Sequence, residues 1–155
     1  MAKGVFIAEK MKSTKDITLL SSAVSDSEIE NGAIVVLGDL VAGETDLYEA
    51  GAVAAVGNEI WFVDGVELTY SEETTKGLDD FVNPAGKPFR VRKPQVGDTF
   101  SISASMITPL DSGTGLVKGN LVETPATGNK IKEKATSFTS SVSFGGEIVD
   151  LWNFG

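Results

Sequence analysis

The feature that most constrains this chain is a series of short apolar runs, each closed by a glycine next to an aspartate or asparagine. Ala33 to Leu37 ends at Gly38-Asp39, Glu49 to Val56 at Gly57-Asn58, and Ile60 to Val63 at Asp64-Gly65. Runs of this length are strands, and the closing dipeptides supply the positive-φ turns that closely spaced strands require. The spacing predicts an antiparallel meander across residues 33–63. Further on, Pro88 to Arg92 alternates, with Phe89 and Val91 inward and Arg90 and Arg92 outward. After a Pro94–Asp98 turn, Thr99 to Met106 alternates through Phe100, Ile102, Ala104 and Met106. The last strand is expected over Gly146 to Phe154. Trp61, Phe62 and Tyr70 read as core rather than as a ligand platform.

Only residues 69–82 carry a helical pattern, with Thr69 or Ser71 as cap and Leu78, Phe81 and Val82 on one face. Asn83-Pro84 ends it. Residues 1–25 have no steady period. They suit either an extended arm that orders against something else or an N-terminal stretch packed on its own domain. The fold expected is mainly β: a compact antiparallel β-sandwich or barrel-like single domain over residues 26–155, with one short helix and an extended N-terminal arm over 1–25. At 155 residues there is enough chain for one such core without staples.

Composition removes several chemistries. With no cysteine there are no disulfides, thiolate metal sites or thiol nucleophiles. With no histidine there is no imidazole base, ligand or switch. The formal charge of −9 is uneven. Residues 1–25 hold four lysines against two acids, residues 26–80 hold fourteen acids against Lys76 alone, and residues 81–155 hold eight basic groups against six acids. An acidic middle of this size argues against a nucleic-acid partner. The N-terminal residues lack the apolar core of a secretory signal, and no run approaches the ~20 apolar residues of a membrane span, so no membrane partner is expected.

Leu110-Asp111-Ser112-Gly113-Thr114 matches the short aspartic-protease pattern, which would need a homodimer to bring two aspartates together. The motif has common turn composition and Pro109 interrupts its lead-in strand, so a plain loop is the better reading. The adjacent carboxylates Glu72-Glu73 and Asp79-Asp80 would point about 100° apart on a helix and cannot face each other across a glycosidic bond. They also lack the alternating ligand spacing of a calcium loop. No catalytic, cofactor-binding or metal-binding residue is assigned, and no enzyme activity or cofactor is expected. Lys87, Arg90, Arg92 and Lys93 form the one dense basic cluster, either a partner-facing patch or the solvent side of a strand.

Several stretches resemble a family of small structural proteins from tailed phages of Gram-positive hosts, encoded beside the major capsid protein. They are Gly4 to Lys10, Glu30 to Val41, Gly77 to Lys87 and Val96 to Ile102. The likeness weakens after residue 107. The resemblance implies a capsid decoration protein, which adds to the outside of an assembled head and stabilises it. It implies the major capsid protein as partner, a homo-oligomer with a trimer favoured, and a place on the virion surface after synthesis in the host cytoplasm. A phage tail or baseplate component is the alternative. Candidate capsid- or subunit-contact residues are Phe6, Ile7, Lys10, Met11 and Lys12 in the arm, with Arg90 and Arg92 in the basic strand.

Overall fold

The computed structural model describes residues 4–65, 82–111 and 115–151. Its centre is a closed five-stranded barrel made of β2 (Leu20–Val24), β3 (Ile34–Leu40), β4 (Leu47–Gly51), β5 (Trp61–Val63) and β6 (Phe89–Arg92). Around the barrel the order is β2-β4-β3-β5-β6, with β2 and β4 parallel and the other pairs antiparallel. Closure leaves these five strands with no free edge.

The expected meander is not what forms. β3 lies between β4 and β5, pairing Leu37 with Ala50 on one side and Val35 with Trp61 on the other. Gly38-Asp39 does not end a strand either. It sits inside β3, where the register against β4 shifts between Leu37 and Leu40, a bulge that bends the strand around the barrel. Alternation does set the faces. Ala23, Val35, Val63, Phe89 and Val91 fill the barrel interior with Met106, and half-buried Trp61, Leu37 and Ala50 pack against them.

Residues 4–25, the described part of the expected arm, are built into the body instead. β1 (Phe6–Lys10) pairs antiparallel with β7 (Thr99–Ile102), and β2 is a barrel strand held on both sides. Phe6 explains why. Its ring stacks on Phe62 and Phe100, with centroids 5.2 Å away in both cases, and Phe144 meets Phe62 edge-on at 5.5 Å. These rings join Ile34, Ile60, Ile107, Val122 and Ile131 in a second core on the outside of the barrel. The lack of period in residues 1–25 arises because one short segment serves two different sheets, with turns between.

A four-stranded sheet covers the other side of that core. Its order is β11 (Gly145–Glu147), β9 (Leu121–Glu123), β10 (Ile131–Lys134), β8 (Ile107–Thr108). It is fastened to the barrel by an exchange between Asn129 and Ile34 and by the Val53–Gly128 bridge. The alternation expected from Thr99 to Met106 stops at Ile102, and a 3₁₀ turn, Ala104–Met106, turns the chain into β8. The last strand is shorter than expected, since past Glu147 only Ile148 is buried before the exposed Val149 and Leu151. The 69–82 helix falls outside the described residues except for Val82, as do Tyr70 and both acidic pairs within that segment.

Candidate functional site

The seven candidate contact residues divide by burial. Phe6 and Met11 are core residues, and Arg92 is only 8% exposed. Ile7, on the opposite face of β1 from Phe6, is exposed at 38%, and Lys10 and Lys12 are exposed. Arg90 is half-buried. Phe6, Met11 and Arg92 are therefore not available as contact residues in this structure.

Arg92 points out of the barrel, as the alternation requires, but that outside is covered. The 3₁₀ turn η1 (Lys12–Thr14) lies over it, and Arg92 Nη1 donates to the buried Ser13 Oγ at 3.0 Å. Its Nε donates to Asp64 Oδ2 at 2.5 Å. Asp64 also accepts from Arg90, whose Nη2 reaches Oδ2 at 3.1 Å and whose Nε reaches the main-chain oxygen at 3.0 Å. A charge buried in this way must be paired and fully hydrogen-bonded to be tolerated. Asp64 supplies that pairing although the sequence marks it only as half of a turn dipeptide. No local pattern brings residues 13, 64 and 92 together.

Beyond Arg92 lies one end of the barrel, formed by η1, a second 3₁₀ turn η2 (Ile17–Leu19) and the 93–98 turn. These loops are joined to one another. Lys93 N donates to Leu19 O at 2.9 Å, and Lys12 N donates to Asp98 Oδ1 at 3.0 Å. Asp98 also accepts from Gln95 N at 2.8 Å, and the tight turn is completed by Gly97 at φ +93, a conformation that favours glycine. Asp16 caps η2. The Thr18 hydroxyl at 2.6 Å and then the Thr18 N–H at 3.0 Å hold its carboxyl below the usual aspartate range. Two aliphatic side chains stand out of this assembly: Ile17 is 81% exposed and Val96 is fully exposed. Lys10, Lys12 and Lys15 are exposed beside them, whereas Lys93 is paired with Glu59 at 3.0 Å.

The opposite end differs in character. A cleft of about 510 Å³ has Ala33, Val35, Ala50 and Met106 among its lining, with Asp26, Glu28, Glu30 and Lys130 around them. Glu30 is already engaged, accepting from Gly4 N at 2.6 Å. A groove of about 440 Å³ lies back at the first end, beside Thr18 of η2, Leu20, Leu37, Tyr48, Glu59 and Trp61. Trp61, expected in the core, is half-buried there, while Phe62 is fully buried.

The two buried carboxylates of the C-terminal sheet are structural clamps. Glu133 accepts from Leu110 N, Val117 N and Asn120 Nδ2. Glu123 accepts from Thr139 N and Oγ1, with Lys132 Nζ 3.8 Å away. Burial works to raise both acids, but these hydrogen bonds, joined at Glu123 by the nearby Lys134 and Lys132, outweigh it and leave both below the usual glutamate range. Glu123 lies opposite Lys132 and Glu133 opposite Val122 across the β9–β10 ladder, so the two acids occupy opposite faces and form no catalytic pair. Asp111 is exposed, and Ser112 to Thr114 of its motif lie outside the described residues. Among the described residues no group of three or more acids is placed to hold a metal ion, and no helix is long and apolar enough to cross a membrane.

No protein-family model matches the chain, and neither the comparison with characterised proteins nor that with solved structures gives a match.

Proposed function

We propose that this chain is a non-enzymatic decoration protein of a tailed-phage capsid, one that binds the outside of the assembled head and stabilises it. The observation that carries the reading is where the resembling stretches lie. Gly4 to Lys10 and Val96 to Ile102 are far apart in sequence, yet they form the β1–β7 ladder, and Glu30 to Val41 meets both. Gly4 donates to Glu30, and a Cβ on Gly4 would lie 2.4 Å from Asn31 O and 2.7 Å from Met106 Cγ, so the backbones approach as closely as glycine allows. Stretches that pack on one another in this way support a shared body rather than scattered coincidences of composition.

A decoration protein needs a rigid body and a matching surface rather than an active site. A ligand that binds only the assembled shell stabilises it by mass action, and many copies multiply a weak contact. The major capsid protein is the partner in this reading, a trimer is the favoured oligomer, and the virion surface is where the protein resides. The test is co-sedimentation of the purified protein with assembled heads and with unassembled capsid subunits of the same phage. Binding to heads alone, with a higher temperature of head disruption, is expected. Absence of binding refutes the reading, and rings or tubes formed by the protein alone move it to the tail.

A further inference from the structure

One edge of the C-terminal sheet is open to water. β11 and its continuation bond to β9 through alternate residues: Phe144 O accepts from Thr124 N at 3.2 Å, and Ile148 N donates to Asn120 O at 2.8 Å. In an antiparallel pair the residues between these turn their main-chain groups the other way. The N–H and C=O of Gly145, Glu147 and Val149 therefore point away from β9, and among the described residues none of the six has a hydrogen-bond partner. All three residues are exposed. The opposite edge of the sheet, β8, is only two residues long and runs into Pro109, which blunts it.

The open edge is also flanked by apolar side chains. Phe138 lies against Gly145, where an added Cβ would be 2.7 Å from its ring, and is 45% exposed, while Val149 is 65% and Leu151 47% exposed. Unpaired main-chain groups at the two-residue repeat of a strand recognise one kind of ligand, another extended chain. Register and charge point to which chain. If two copies met antiparallel about a two-fold axis at Glu147, that carboxylate would face its own mate, which is unfavourable. An axis at Gly146 would run Val149 into Ser143, whose N–H already donates to Val56 O at 2.9 Å. Placing the axis at Ile148 avoids both. Glu147 then exchanges bonds with Val149 of the second copy, Asp150 falls opposite Gly146, and the buried Ile148 keeps its side chain in its own core. No like charges oppose each other, so the edge complements itself, as a two-fold contact requires.

We propose that the edge over residues 145–149 pairs antiparallel with the same edge of a second copy, joining two four-stranded sheets across a two-fold axis near Ile148. The inference does not rest on the decoration reading. The ladder is short, so the association depends on concentration. Each chain carries −9, so pairing tightens as salt screens the repulsion between copies.

Sedimentation equilibrium of the purified full chain, over a range of concentration and salt, reads the dissociation constant. The parent should form dimers. Val149→Pro removes an N–H that the fold does not use, a change a free edge tolerates; two bonds are lost per dimer, and pairing should weaken at least about tenfold. Val149→Glu sets a carboxylate opposite Glu147 twice per dimer and should weaken pairing about fivefold or more. Val149→Lys sets a cation there instead and should pair more tightly than the glutamate variant, by a margin that shrinks at high salt. Circular dichroism with a thermal melt checks each fold, and the glutamate and lysine variants carry the test alone if the proline variant unfolds. A parent that sediments as a monomer or as a bare trimer overturns the proposal, as does a dimer indifferent to all three substitutions. If the parent is monomeric yet Val149→Pro weakens its binding to assembled heads, the edge takes a strand of the shell: the second-copy proposal falls and the decoration reading stands.

Discussion

Replacing Asp64 by alanine isolates the role of the buried ion pair. The substitution leaves the Asp64 main-chain bonds to Arg90 in place and removes only the carboxylate that neutralises Arg92. The Arg92 side chain is 10% exposed and would keep only neutral hydroxyl partners, Ser13 and Thr14. Leaving a buried charge without its partner costs about 3–5 kcal/mol, a large part of the roughly 5–15 kcal/mol that holds a domain of this kind folded. The Arg90 side chain is 39% exposed, so its share of the pair is screened by water, and Arg90→Ala should cost no more than about 1 kcal/mol. Urea unfolding followed by circular dichroism reads both values. With a slope of about 2 kcal/mol per molar, the Asp64→Ala midpoint falls by about 2 M and the Arg90→Ala midpoint by about 0.5 M or less. Combining Asp64→Ala with Arg92→Met removes both charges and should recover most of the loss, a coupling that a double-mutant cycle measures directly. A midpoint for Asp64→Ala within about 0.5 M of the parent, or an Arg90→Ala loss as large as that of Asp64→Ala, would refute the assignment of Arg92 as the buried, dependent partner.

Phe6→Ala should destabilise the protein by about 3–5 kcal/mol, because it empties one position of a four-ring aromatic cluster; calorimetry showing an unchanged melting temperature would return residues 1–25 to the status of an arm. Glu123 and Glu133 are held below their ordinary pKa of 4.5 when folded, so the stability they supply is fully present above that value and is lost as pH falls through their lower folded pKa values. Acid titration of the unfolding free energy should therefore decline below about pH 4.5 and follow a shallower slope in E123Q/E133Q; identical slopes would contradict the clamp role.

Much of the fold follows from short-range pattern. The β class, the Pro94–Asp98 turn and the inward facing of Phe89 and Val91 are properties of a few consecutive residues, since side chains alternate with period two and glycine permits tight turns. Lys10 and Lys12 were identifiable as exposed cations because charged side chains stay in water unless paired. Strand order was not legible. Ala33 to Leu37 and Glu49 to Val56 carry no mark that β3 would take both β4 and β5 as neighbours, because barrel closure depends on register around the whole ring. Arg92 shows the limit most clearly. Alternation correctly turns it away from the barrel interior, but whether that outward face meets water depends on η1, nearly eighty residues earlier in the chain, and on Asp64 in between. The same holds for Phe6, Ile17 and Val96. Sequence supplied their apolar character, whereas the pairing of β1 with β7 buried the first and the braced loops left the other two in solvent. Burial is a property of the neighbours a residue acquires on folding, and those neighbours come from distant parts of the chain.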